Sequence, residues 1–179
     1  MKLTDALTCQ RCSLAATRTQ VVIGSGDITS RLVLVGEAPG RIEDEGGEPF
    51  LGRSGQLLFS LLCEEVGLTR DDCYITNVVK CRPPNNRTPT TSELRACRAW
   101  WDLQVPLMRS SVTVTLGLTA TRAVLGLRAP MAELHGRAVA SDVGVVLPTY
   151  HPAAALRQGP SVVAVMRSDL RQVRKLLDS

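Results

Sequence analysis

A chain of 179 residues with 44% hydrophobic content is long enough to bury a core of its own, and it holds no long uncharged apolar run of the kind that spans a bilayer. The 21 Lys plus Arg against 17 Asp plus Glu give a net charge of +4, a mild basic bias compatible with a polyanionic partner but no proof of one. The N-terminus, MKLTDALTCQRC, has charge and cysteines where a secretory signal needs an apolar core, which predicts a cytoplasmic protein whose six cysteines serve as thiols or metal ligands rather than disulfides.

Taken in order, Thr4 to Ala15 predicts a short helix interrupted or capped by the Cys9-Gln-Arg-Cys12 turn, and Val21 to Ile23 is a short β-like run ending at Gly24-Ser-Gly26. Leu32 to Val35, apolar and β-branched, predicts a buried strand. It empties into a loop in which Gly36, Pro39, Gly40, Gly46, Gly47, Pro49, Gly52 and Gly55 are spaced so closely that no regular element is expected. The same loop gathers Glu37, Glu43, Asp44, Glu45 and Glu48. Ser54 is placed to cap a helix carrying Leu57, Leu58, Leu61, Leu62 and Val66, and Gly67 to stop it. Cys73 to Val79 reads as a second strand. In the loop KCRPPNNRTP that follows, Pro83, Pro84 and Pro89 forbid helix, and Thr90 with Glu93 forms a capping box for a helix running to about Leu107. Val112 to Leu116 is a third strand ended by Gly117, Thr119 to Leu125 a short helix closed by Gly126, and Val143 to Leu147 a fourth strand. His151 to Arg157 reads as a helical turn and Ser161 to Leu177 as a terminal helix. Strands alternating with helices predict the α/β class: one unit over residues 1–179, with a mostly parallel four-stranded sheet covered on both faces. The carboxyl edge of such a sheet, where the first strand meets its acidic loop, is where ligands bind.

Cys9 and Cys12 have the two-residue spacing that lets both sulfurs face one metal, while Cys81 lies in the proline loop and Cys97 on the next helix. Four thiolates can close a zinc site or hold an iron–sulfur cluster, and spacing does not choose between them; Cys81 and Cys97 also fit as small buried hydrophobes. That last role suits Cys63 and Cys73 better than metal binding does. His151 follows a strand and precedes a helical turn, so the helix dipole disfavours imidazolium and leaves a neutral ring able to donate to a developing anion. His135, in a predicted hairpin or loop, is assigned a structural role. Phe50 has no helix or strand face to justify it, which leaves a base-stacking ring or a hydrophobic anchor. Asn77, at a strand end, offers the acceptor and donors that pair with an imide edge.

Three separated stretches, GEAPGRIEDEGGEPFLGRSG, YITNVVKCRPPNNRTP and TYHPAAALR, occur in that order with cysteines at C-x2-C, after Lys80 and on the next helix. Together they resemble a family-four uracil-DNA glycosylase, and the resemblance runs from Cys9 to Arg157. It implies a three-layer α/β/α sandwich, a structural [4Fe-4S] cluster on Cys9, Cys12, Cys81 and Cys97, and a monomer that acts on uracil-containing DNA with no membrane partner. The family's uracil site falls here on Glu37, Ala38, Phe50, Asn77 and His151. By that resemblance Phe50 stacks on a flipped base and Asn77 reads O4 and N3–H, an edge on which cytosine mismatches. His151 donates to O2 of the departing uracilate. Glu37 or Glu43 holds the attacking water or offsets the sugar cation, with Glu43 favoured for the cation side and Asp44 ordering the loop. Lys80, Arg82 and Arg87 are expected at phosphates, and Leu156 with Arg157 in the gap left by the flipped nucleotide.

The segment Pro83 to Arg87 lacks the histidine of a related branch that stays trapped on its abasic product, so product release is expected. Glu37 separates the chain from another branch that lacks this acid. Ala38 stands where many members have glycine. A non-catalytic iron–sulfur nucleic-acid binder is the competing reading.

Overall fold

Strand β1 (Leu32–Gly36) shows why the molecule needs three layers: Leu32 and Leu34 face one way, Val33 and Val35 the other, and all four are buried. The computed structural model describes residues 2–179. In it β1 lies between β2 (Cys73–Asn77) and β3 (Val112–Leu116), and β3 pairs with β5 (Gly144–Thr149), all parallel. The short β4 (Val139–Ser141) runs antiparallel to β5 at the edge, giving the order β2-β1-β3-β5-β4. The sheet is mostly parallel as expected, with five strands rather than four. The missed strand is a three-residue arm whose residues are only partly buried or exposed, so no apolar alternation announces it.

On one face, Leu58, Leu61 and Leu62 of α2 (Arg53–Val66) and Met166, Leu170 and Val173 of α7 (Pro160–Asp178) pack on Leu32, Leu34, Val114 and Leu147. On the other, Trp100 and Trp101 of α3 (Thr91–Gln104) and Ala120 of α4 (Leu118–Leu125) cover Val33, Val35 and Val146. These two cores flanking one sheet form the α/β/α sandwich. Among the described residues no helix is long and apolar enough to cross a membrane.

Local chemistry explains most boundaries. Gly67 and Gly126 close α2 and α4 in the left-handed region, and Thr90 with Glu93 forms the expected reciprocal cap on α3. Other expectations need correction. The acidic loop contains a helix, α1 (Arg41–Gly46), because Glu43 reaches back to the Gly40 N–H at 3.0 Å and Gly47 accepts a φ of 82° at its end. Gly52, not Ser54, is the N-cap of α2, and α3 stops at Gln104 before a 3-10 turn over Val105–Leu107. The N-terminal helix is two 3-10 turns, Leu3–Thr8 and Ser13–Ala16, on either side of the C-x2-C turn. Val21 to Ile23 is extended without being a strand; it lies along the edge of β2, where the Val22 N–H donates to the Lys80 carbonyl at 2.8 Å. Cys63 faces solvent rather than the core. His135 caps the C-terminus of the one-turn α5 (Met131–Leu134) and contacts the Asp169 carboxylate at 3.3 Å. That position, in the turn after α5, agrees with the loop alternative and with a structural role.

Candidate active site

The carboxyl ends of β1, β2 and β5 deliver Gly36, Asn77 and, two residues past Thr149, His151 to one edge of the sheet. A cavity of about 420 Å³ opens there, and Glu37, Ala38, Phe50, Asn77 and His151 all line it, with Glu43, Arg87 and Arg157 around them. Residues separated by more than a hundred positions thus meet in one site.

Asn77 is 2% exposed, and its carboxamide makes no hydrogen bond to another described residue. Phe50 sits at φ 56°, a conformation unfavourable by about 1 kcal/mol for a residue with a Cβ, so the loop holds the ring where it is against local preference. Its ring stacks at 5.8 Å, tilted by 29°, on the imidazole of His151. Gly36 makes this convergence possible: a Cβ there would overlap the Asn77 Oδ1 and come within 2.7 Å of the Phe50 ring.

His151 is the N-cap of α6 (Pro152–Gln158), and its Nδ1 accepts the Ala153 N–H at 3.1 Å. That bond requires an unprotonated Nδ1, so the ring hydrogen of the neutral form resides on Nε2. Burial pushes the imidazole pKa down to about 4, and the Arg157 guanidinium pushes in the same direction. The site therefore presents a neutral donor at physiological pH.

The two carboxylates differ. Glu43 binds the backbone N–H groups of Gly40 and, at 2.9 Å, Gly52, and so staples both ends of the loop while facing the cavity. Glu37 carries no such bonds among the described residues. Asp44, buried, accepts the N–H of Thr19 at 2.9 Å and orders the loop from outside the cavity, as expected.

Of the predicted phosphate contacts, Lys80 is overturned. It is 1% exposed, and its ammonium donates to Thr76 Oγ1 at 2.7 Å, the Asn77 carbonyl at 2.6 Å and Gln104 Oε1 at 2.5 Å. A buried amine satisfied by three oxygens, whose pKa burial lowers to about 7, does not reach a phosphate. Arg82 bonds Asn86 and lies outside the cavity lining, whereas Arg87 lines the cavity and grips Glu93 with two hydrogen bonds. Leu156 is 43% exposed beside the cavity-lining Arg157.

Cys9, Cys12, Cys81 and Cys97 line a second pocket together with Trp100 and Lys80. Three N–H groups approach their sulfurs: Trp100 Nε1 to Cys9 at 3.3 Å, the Lys80 backbone N–H to Cys97 at 3.2 Å, and Arg18 to Cys81 at 3.7 Å. Donors aimed at sulfur suit thiolates held by metal. Burial drives the Cys81 thiol up to about 12, so without a cation that site stays protonated. Among the described residues, no group of three or more His, Cys, Asp or Glu side chains is arranged to hold a metal ion, although the four cysteines line one pocket. The Trp100 contact went unread in the sequence, although Cys97 and Trp100 stand three apart on one helix face.

The uracil DNA glycosylase superfamily model matches residues 23–171. A type-4 uracil-DNA glycosylase of Thermotoga maritima is 45% identical over 83% of this chain and 78% of its own length. That of Sulfurisphaera tokodaii is 37% identical over 96% and 81%. A type-5 uracil-DNA glycosylase of Pyrobaculum aerophilum is 35% identical over 72% and 63%. With this extent of agreement and the site at the sheet edge, the chain belongs to the uracil DNA glycosylase superfamily, and within it to the type-4 enzymes.

Proposed function

We propose that the cavity at the sheet edge takes a uracil flipped out of DNA and that the chain hydrolyses its N-glycosidic bond, leaving an abasic site. The observation that carries the reading is the neutral His151, with its hydrogen on Nε2, in the same cavity as an unpaired Asn77 carboxamide and the Phe50 ring. A base inside the duplex is out of reach, so extrusion precedes chemistry and costs a few kcal/mol. Phe50 stacks on the extruded base, and the Asn77 amide donates to O4 and accepts from N3–H. Cytosine places a donor and a bare nitrogen on that edge, so an Asn77 amide held in the uracil-reading orientation leaves both its groups unpaired and rejects cytosine.

Cleavage moves the C1′–N1 electron pair onto uracil while the sugar becomes cationic. The His151 Nε2–H donates to O2, where the negative charge gathers. Glu37, whose carboxylate is uncommitted, holds the water whose oxygen forms the new bond to C1′ and takes its proton. Glu43 keeps its charge toward the sugar while it staples the loop. Arg87 and Arg157, with Arg82 alongside, meet the phosphates, and Leu156 fills the gap in the stack.

The four cysteines fit a [4Fe-4S] cluster by lining one common pocket and by the N–H donors at three of the sulfurs. When bound, that cluster supplies a structural tie between the N-terminal turns, the proline loop and α3. The protein acts as a monomer and a single unit on DNA. Incubation with an oligonucleotide carrying one deoxyuridine, followed by alkali, breaks the strand at that position; an intact strand overturns the proposal and leaves a binding protein.

A further inference from the structure

Resting on that reading, we infer that Arg70 is the positioning residue that holds Phe50 in its base-stacking pose. Arg70 lies in the 3-10 turn Arg70–Asp72 that leads into β2, outside the cavity lining. Its guanidinium bridges the loop: one nitrogen shares its two hydrogens among the Pro49 carbonyl at 2.8 Å, Ser25 Oγ at 2.9 Å and Glu48 at 3.0 Å, and the other donates to the Phe50 carbonyl at 3.3 Å. The same group lies 5.1 Å from the centre of the Phe59 ring, which belongs to α2.

The arrangement answers a problem that the loop creates. Phe50 stands at positive φ without being glycine, so local preference pulls it out of this conformation. Two consecutive carbonyls, those of Pro49 and Phe50, both accept from the Arg70 guanidinium. A planar fork is the side-chain shape that serves two neighbouring acceptors at once, which an ammonium on a flexible stem does less well. Gly55 completes the clamp from α2, since a Cβ there would overlap the Phe50 carbonyl. Arg70 thus fixes the backbone on one side of Phe50 while its ring faces His151 on the other. Sequence reading missed it because Arg70 sits among charged residues, Arg70-Asp-Asp72, that look like a solvated turn.

A residue that acts only through Phe50 has nothing to do once the ring is gone. The test is a double-mutant cycle on uracil release under single-turnover conditions: wild type, R70M, F50A and R70M/F50A. The expected result is a loss of about 10-fold or more for R70M in the wild-type background but under about 2-fold in the F50A background, the non-additivity of residues in one unit. R70K, which keeps the charge and loses the fork, falls between wild type and R70M. Losses that multiply across the cycle, or full activity in R70M, overturn the assignment. Thermal melting of all four proteins separates positioning from folding, and where R70M does not fold the cycle is run with R70K. Release by the wild type, measured in the same assay, tests the function itself. A multiplicative cycle on an active wild type therefore defeats the role of Arg70 alone.

Discussion

His151 and Asn77 carry the sharpest expectations at the level of single residues. Removing the His151 donor in H151A should lower the rate of uracil release by about 10²–10³-fold, the usual loss for one donor to a developing oxyanion, while DNA binding changes little. Because burial holds the imidazole pKa near 4, the neutral donor persists across the mildly acidic range. The activity attributable to His151 should therefore stay flat from pH 8 down to about 5 and fall only as pH approaches 4, in contrast to a histidine titrating at its ordinary value near 6.5. The stability consequence has a definite sign. The folded pKa lies below the unfolded one, so the unfolded chain binds the proton more readily. The His151 contribution to stability is complete above about pH 6.5 and is lost as pH falls from there to about 4. A pH–rate profile centred near 6.5 would sink the neutral-donor role. For Asn77, N77A should depress release far more than affinity for undamaged DNA, since the carboxamide meets only an extruded base.

At the level of elements, the site depends on how closely β1, β2 and the Phe50 loop approach one another, and Gly36 is the point of closest approach. G36A puts a methyl group against Asn77 Oδ1 and the Phe50 ring, both fixed by buried surroundings, and should cost about 1–3 kcal/mol of stability together with at least a tenfold loss of uracil release. Denaturant melts with the release assay check both. The cysteine pocket makes a second prediction. The isolated protein should be brown with about four iron atoms per chain, and C97A should lose the colour and the thermal stability together, whereas C63A, at an exposed position, should change neither. A colourless protein with one zinc per chain overturns the cluster. Strands with runs of β-branched residues, and helices closed by glycine, were legible because short-range chemistry decides them. The helix α1 was not, since it is secured by the Glu43 carboxylate on two backbone N–H groups nine positions or fewer from it, one at the N-cap Gly40 and one beyond the helix at Gly52. The strand β4 was not, since its stability comes from pairing with β5 rather than from its own pattern.

Across the whole molecule, the family resemblance marked Glu37, Ala38, Phe50, Asn77 and His151 together, while position alone singled out Phe50, Asn77 and His151 as residues in a loop or at strand ends, and the fold gathers all five around one cavity. The charged residues were harder, because a positive side chain in a loop reads the same whether it meets solvent, phosphate or the interior. Lys80 shows the difference: sequence places it in the proline loop beside Arg82, and the fold turns it inward onto Thr76, Asn77 and Gln104. A net charge of +4 is a mild bias, so affinity is expected to rest on the individual cations at the cavity, Arg87 and Arg157, and on Arg82 beside it. Each phosphate neutralised releases condensed counterions, and removing one such contact should shallow the plot of log affinity against log salt by about one unit. R157A and R82A should each do so, and should weaken binding to uracil-containing and undamaged duplexes alike, because phosphates carry no sequence information. R87A should act more weakly on the slope than R157A, since its guanidinium already shares its charge with Glu93. K80M should leave the slope unchanged and lower thermal stability instead, because it removes a buried donor from three oxygens and exposes no phosphate. Titrations at several salt concentrations, with melting curves of the same variants, decide the matter. A K80M slope shallower by a full unit would return Lys80 to the DNA interface and contradict its buried position.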